Sequence, residues 1–522
     1  MSGISSIEEL TISQVQSAVA AGQISYTELV SAYLDRISVL DRGKDRLGAI
    51  TYVNENAVDD ARKADAQLKT GRSPGRLHGI PLLLKDNINT VDLATSNGSA
   101  VLRGFVPPYD AFIARRLRAE GAIILGKASM GEFAGGSYNS IDGVIRNPYH
   151  PKRAPSGSSA GSAVAVTANL AMVAIGTDTS TSIRGPAAMA GIVGLRPTTG
   201  LLSRTGIAPK NLAFDTAGPM TRTVTDAAIL LGAMSGRDGH DPLSVSAYEH
   251  FAEDCRDSRD FKPHLRRGAL KGARLGVVRN FFGGDPEVDA LTEWALDAMR
   301  SLGAVLVDLV LDQDFIERHI DNSTCNIRRV MDFSFRQDFE KYLATLGPGA
   351  PASVEAFVEI YEAVINRSPL PAEPSVMDLL RTSLSTSLTD PKYAEVADGI
   401  LPAATSFKRK LFHDNRLNAM VFPAKTGFAS EINTPVLVER DPTFVPPAHP
   451  WESPLVFAAY SSVGNPEIVV PIGSGSQGMP IAISIMGRPW HDGEVLGFAF
   501  DYEQETLMRR APNFQESAKQ AI

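Results

Sequence analysis

Residues 155–182 read Pro-Ser-Gly-Ser-Ser-Ala-Gly-Ser-Ala-Val-Ala-Val-Thr-Ala-Asn-Leu-Ala-Met-Val-Ala-Ile-Gly-Thr-Asp-Thr-Ser-Thr-Ser. Residues 148–162 are rich in Pro, Gly and Ser and predict a loop. Residues 163–171 predict a helix of small side chains, which lets a helix approach a sheet closely. Residues 172–175 predict a buried strand, and Gly176-Thr-Asp-Thr-Ser-Thr-Ser182 predicts a second polar loop. Two serine-rich loops thus bracket one helix, and the alternation of helix and strand marks an α/β protein.

The same alternation extends outward in both directions. Towards the N-terminus, residues 80–84 form a short apolar run after Gly79. Asp110 is placed to cap a helix bearing Phe112, Ile113 and Leu117 that stops at Gly121, before a strand at 122–125. Before these, Leu29, Val30, Tyr33, Leu34 and Ile37 make a helical stripe. Towards the C-terminus, a strand at 275–278, a helix over 288–299 and a strand at 305–310 form another α/β unit. Residues 313–415 lose the alternation and read as helical, with prolines at 369, 371 and 374. Strands return at 419–422, 468–472 and 481–485, and a helix over 495–504 closes the pattern. The expected organisation is one large domain. A helical segment over 1–75 packs on a core at 76–312, 313–415 is a variable helical elaboration, and 416–522 completes the core.

Composition narrows the function. The 522 residues carry 51 Lys+Arg against 59 Asp+Glu, a net charge of −8 that argues against gripping nucleic-acid backbones. With 43% apolar residues, 44 Gly and 33 Pro, the chain is neither disordered nor low in complexity. The two cysteines, Cys255 and Cys325, show neither metal-ligand spacing nor a disulfide framework, which points to a reducing compartment. The first residues lack the basic start and apolar run of a signal peptide. No stretch approaches the roughly 18 apolar residues of a membrane span, so no membrane partner is expected and the expected location is cytoplasmic. Nine histidines are scattered without His-Glu-x-x-His, so a catalytic metal has no support in the sequence.

Gly157-Ser-Ser-Ala-Gly161 satisfies the Gly-x-Ser-x-Gly of a nucleophile elbow with Ser159 at its centre, but an elbow needs a strand just before it. The proline-rich residues 148–155 cannot supply one. Lys85, directly after an apolar run, is either a strand end emerging into solvent or an amine held in a dry site. To act as a base it must be neutral at working pH, with its pKa brought down from about 10.4 to about 7 or 8, a shift that burial alone supplies. Lys85 and the loop ending in Ser182 both lie just past the carboxyl ends of predicted strands, where open α/β sheets gather their sites. A lysine and two loop serines there can relay a proton without histidine.

Three stretches together carry a family resemblance: Gly79-Ile-Pro-Leu-Leu-Leu-Lys-Asp-Asn-Ile88, Gly157-Ser-Ser-Ala-Gly-Ser162 and Gly176-Thr-Asp-Thr-Ser-Thr-Ser-Ile-Arg-Gly-Pro-Ala187. With Gly126-Lys-Ala-Ser-Met-Gly-Glu-Phe133, Arg146-Asn-Pro148 and Thr216-Ala-Gly-Pro-Met220, the chain resembles the amidase signature family over residues 5–240 and again over 418–506. That resemblance implies a mixed central sheet covered by helices on both faces, and a Ser-cisSer-Lys triad. In it Ser182 is the nucleophile, Ser158 the bridging serine on a cis peptide bond and Lys85 the base. It further implies an oxyanion site from the backbone N–H groups of Thr179, Ser180, Thr181 and Ser182. Asp178 and Arg184 brace the loop, or form an ordinary ion pair, and Gly135, Gly136 and Ser137 form a substrate wall.

Where the family usually has Gly-Gly before the nucleophile, this chain has Ser180-Thr181. A β-branched residue disfavours positive φ, so either the loop keeps φ negative at Thr181 or the oxyanion site is distorted.

The activity implied is hydrolysis of a carboxylic amide of small-molecule type without a cofactor. The alternatives are the glutamine-cleaving subunit of a tRNA-dependent amidotransferase and an inactive scaffold. A homodimer is compatible with the sequence. Within the elaboration, Phe315, Phe333, Phe335, Tyr342, Phe357 and Tyr361 either line an apolar pocket or, as their helical spacing favours, form core.

Overall fold

The computed structural model describes residues 6–42, 46–70, 75–250, 260–315, 329–433, 454–459 and 464–514. Cys255 and Cys325 lie outside them. The strands, in chain order, are β1 (Ile50–Val53), β2 (Pro81–Lys85), β3 (Ile123–Ala128), β4 (Tyr138–Asn139), β5 (Gly143–Val144), β6 (Val173–Asp178), β7 (Val193–Arg196), β8 (Thr216–Thr221), β9 (Arg274–Val278), β10 (Val305–Leu309), β11 (Ala419–Pro423), β12 (Glu467–Ser474) and β13 (Pro480–Gly487). Eleven of these make one sheet in the order β1-β3-β2-β6-β8-β7-β12-β13-β11-β9-β10, while β4 and β5 pair separately.

The sheet is mixed. β2 runs parallel to β3 and β6, and β9 parallel to β10 and β11, while the strands between β6 and β11 pair antiparallel. Its central strands are buried on both faces, which explains why they read as unbroken apolar runs rather than alternating ones. Helices flank it. The helix Ala160–Thr167 is buried at every residue, and a Cβ on Gly161 would come within 2.3 Å of Ser129 O and 2.4 Å of Ala49 O. Only a glycine-containing, small-residue helix fits there.

Several boundaries differ from expectation, and the segment 1–75 is not wholly helical, since β1 pairs antiparallel with β3 in the main sheet. The small-residue helix begins at Ala160 rather than 163 and ends at Thr167. The strand after it continues through Asp178, because antiparallel pairing with β8 reaches Asp178 opposite Thr216. Asp110 does not cap its helix. Ala111 holds that position, and the Asp110 carboxylate accepts from Val91 N–H at 2.9 Å and pairs with Arg118.

A second apolar cluster sits apart from the main core. In it Phe335, Tyr342, Phe357 and Tyr361 pack with Phe339, and Phe133 closes the group. Phe133 meets the rings of Phe335, Phe339 and Phe357 edge to face, at centroid distances of 6.0, 5.4 and 5.2 Å. Phe333 is buried beside Tyr393, and Phe315 stacks on Phe407 against the main core. These aromatics are core, as their spacing favours. Among the described residues no helix is long and apolar enough to cross a membrane.

Candidate active site

Lys85 ends β2, and its parallel neighbour β6 ends at Asp178, so the loop 179–182 leaves the sheet beside the lysine. Five consecutive buried residues make β2 a central strand, which carries the Lys85 side chain into the interior with no exposure. Its Nζ lies 2.7 Å from Ser158 Oγ and also reaches Thr177 Oγ1 at 2.8 Å and Thr177 O at 3.2 Å. Asn87 Nδ2 donates to the same Thr177 hydroxyl at 3.0 Å. Burial pushes the Lys85 amine down to about 7. Lys210 adds to this, and the carboxylates of Asp178 and Asp215 pull against it. A neutral amine has two N–H donors and one lone pair, which matches two Thr177 acceptors and one hydroxyl able to give up its proton.

The Gly157–Ser158 peptide bond is cis. Gly131 N–H donates to Ser158 O at 3.0 Å, and Ser159 N–H donates to Ser182 O at 3.1 Å, which ties the two serine loops to each other. Ser158 and Ser182 are 1% and 7% exposed, so both hydroxyls are largely shielded from water. Ser159 is engaged elsewhere. Its hydroxyl donates to Thr177 O at 3.0 Å and accepts from Thr177 N–H at 3.2 Å. No strand leads into it, so the nucleophile-elbow geometry is absent.

Neither Ser180 nor Thr181 adopts a positive φ, so the β-branched residue sits on ordinary backbone. Thr181 O accepts from Gly185 N–H at 2.7 Å, and Ser180 O accepts from the Arg184 guanidinium. Among the described residues, the N–H groups of Ser180, Thr181 and Ser182 make no backbone–backbone hydrogen bond. The Thr179 hydroxyl donates to Asp215 Oδ1 at 2.6 Å.

Asp178 and Arg184 form a buried pair with two contacts of 3.1 Å, and Asp178 also meets Arg196 at 2.9 Å and accepts from Ile183 N–H at 3.0 Å. Burial would raise the Asp178 carboxyl, but the two guanidiniums override it and hold it well below the usual carboxylate range. Arg184 reaches on to Glu467 of β12 at 2.7 Å. Of the expected wall residues, Gly136 packs against the cis loop. A Cβ on Gly157 would come within 1.7 Å of Gly136 O, and Ser137 O accepts from Ile145 N–H at 3.3 Å.

Three groups at the site escaped sequence reasoning. Thr177 and Asn87 lie inside the stretches that carry the resemblance, but a threonine and an asparagine have no signature of their own. Glu467 comes from 283 positions beyond Arg184 and meets it only through sheet pairing.

A family model described as Amidase matches residues 28–496. A glutamyl-tRNA(Gln) amidotransferase subunit of Chloroflexus aurantiacus is 32% identical over 518 residues, covering 96% of this chain and 97% of that protein. Among solved structures, the peptide amidase from Stenotrophomonas maltophilia is 35% identical, with a TM-score of 0.82 over 97% of this chain and 99% of that one. The corresponding glutamyl-tRNA(Gln) amidotransferase subunit from Thermotoga maritima is 25% identical, with a TM-score of 0.72 over 98% of this chain and all of that one. With a family match over residues 28–496 and a fold shared with solved members along nearly its whole length, this chain belongs to the amidase family.

Proposed function

We propose that the protein hydrolyses a linear carboxylic amide through an acyl-enzyme on Ser182, releasing carboxylate and ammonia or an amine. The observation that carries this reading is the buried Lys85 amine 2.7 Å from the Ser158 hydroxyl, in a loop hydrogen-bonded to Ser182. Ser182 Oγ bonds to the amide carbon. Its proton passes to Ser158 Oγ as the Ser158 proton passes to Lys85 Nζ. The carbonyl oxygen, now negative, is received by the N–H groups of residues 179–182, each such donor being worth about 3 kcal/mol as charge develops. The C–N bond then breaks while the proton held on Lys85 returns through Ser158 to the leaving nitrogen. Water repeats the sequence on the ester, freeing Ser182. Asp178 and Arg184 hold the loop in place rather than touch the reacting atoms.

Full-length identity of 35% to a solved peptide amidase favours a stand-alone enzyme, with peptide C-terminal amides the first substrates to try. A second reading, the glutamine-cleaving subunit of an amidotransferase that works with a partner protein, is favoured by the curated relatives. A panel of peptide amides, anilides, short aliphatic amides and free glutamine separates the two, with ammonia release read on the purified chain alone. Ser182→Ala is expected to lose about 10⁴-fold or more in kcat on whichever substrate turns over. Retention of turnover by Ser182→Ala, or failure of a fluorophosphonate to label Ser182, sinks the acyl-enzyme.

A further inference from the structure

The segment 210–215 is wired into the site by contacts that the proton relay does not use. The buried Asp215 carboxylate accepts from Thr179 Oγ1 at 2.6 Å and from the backbone N–H groups of Lys210 and Asn211 at 2.8 and 2.9 Å. Three donors converge on this carboxylate, yet burial outweighs them and raises its pKa above the usual carboxylate value. Lys210 Nζ donates to the carbonyls of Phe133 and Ala134 at 3.3 and 3.2 Å, immediately before Gly135. Those two residues adopt φ of 49° and 55°, a left-handed backbone that side chains with a Cβ disfavour and that needs outside support. On its other side the segment holds the helical elaboration. Asn211 Nδ2 donates to Ser334 Oγ at 2.7 Å, and Leu212 N–H donates to Asp338 Oδ2 at 3.1 Å. Thr177, Thr179, Lys210 and Asp215 together line one small cavity of about 10 Å³.

We propose that Asp215 is a positioning residue for amide hydrolysis. Through the Thr179 hydroxyl it fixes the turn 179–182, and through its own loop it registers the wall at 133–136 and the helix Arg329–Leu346 against that turn. The proposal rests on Ser182 being the nucleophile. A turn whose N–H groups must meet a developing oxyanion tolerates little displacement, since about 1 Å of misplacement costs on the order of a hundredfold in rate. Asp215 touches neither substrate nor reacting atoms in this scheme.

The test is a double-mutant cycle with Asp215→Asn and Thr179→Val on a substrate that the wild type turns over. Each single variant is expected to lose about tenfold to a hundredfold in kcat with KM changed by less than about threefold, because the lost geometry serves the transition state. The double variant is expected to be no worse than the poorer single one, since both cut the same link. The pH profile supplies a readout that general loosening would not move. Among the described residues, the charges acting on Lys85 are Asp178, Asp215 and Lys210. Removing the negative charge in Asp215→Asn therefore shifts the acid limb of kcat/KM to lower pH, and removing the positive one in Lys210→Met shifts it higher. Wild-type kcat in both single variants, or losses that multiply in the double variant, overturns the proposal. If Asp215→Asn fails to fold, folded Thr179→Val decides the matter through the same kcat and KM split. Failure of the underlying reading shows differently, as turnover that survives in Ser182→Ala whatever Asp215→Asn does.

Discussion

In the proposed relay, Lys85 sets the pH at which the site works. Its amine must be neutral to receive a proton, and burial brings it down to about 7. We therefore expect kcat/KM to rise with pH through a midpoint near 7, and Lys85→Ala to abolish that limb together with turnover, both read from a pH–rate profile. Neither Ser180 nor Thr181 has a positive φ, so the narrowing expected of this pair would come from side-chain size rather than backbone strain. Replacing the pair with Gly-Gly should leave the fold intact and broaden acyl tolerance on the carbonyl side, measured as kcat/KM across acyl groups of increasing bulk. Unchanged selectivity would refute the narrowing.

Among single residues, the meeting of Lys85 with Ser158 was legible because each sits in a run of residues with few alternatives. Asp215 was not, although it directly precedes the Thr216-Ala-Gly-Pro-Met220 stretch that contributes to the resemblance. An aspartate before a strand reads as a turn residue, and only the fold brings Thr179 to it.

Elements follow the same division. β2, β3 and the small-residue helix could be read from apolar runs and glycines, whereas the end of β6 could not. Its last residues, Thr177 and Asp178, are polar, and they belong to the strand only because β8 pairs with them. The elaboration read as helical from its loss of alternation, and its aromatic spacing correctly favoured core. What the spacing could not supply was the partner. Phe133 comes from the serine-loop side of the molecule and is clasped by three rings of the helices at 329–346 and 354–365. Phe357→Ala should thus destabilise by about 3 to 5 kcal/mol in urea unfolding. It should also change selectivity among acyl groups, since Phe133 leads directly into Gly135 and Gly136. A loss of stability with untouched selectivity would separate the helices from the wall.

Across the whole molecule, a second fully buried lysine offers a comparison with Lys85. Lys408 donates to the carbonyls of Phe457 and Ala458 at 2.8 and 3.3 Å, and burial pushes it to about 7, with Arg196 and Arg184 adding to the effect against Glu467. Below pH 7 it is protonated in both folded and unfolded chains. Between about 7 and the ordinary lysine value, the unfolded chain binds the proton and the folded one does not, so its contribution to stability rises with pH. Lys408→Met should remove up to about 2 kcal/mol of the gain in stability between pH 7 and pH 9. It should leave the midpoint of the kcat/KM profile in place, as read from urea midpoints beside rates. A displaced midpoint would mean that Lys408 communicates with the relay.

The sheet order carries one more implication, for how the enzyme is born. β12 lies between β7 and β13, and its first residue, Glu467, is the outer anchor of the Arg184 guanidinium that grips the loop before Ser182. A ribosome therefore exposes every residue of the proposed relay long before the strand that carries Glu467 emerges. In the proposed reading, the nascent chain carries Ser182 without this anchor until β12, which begins 285 positions later, has emerged.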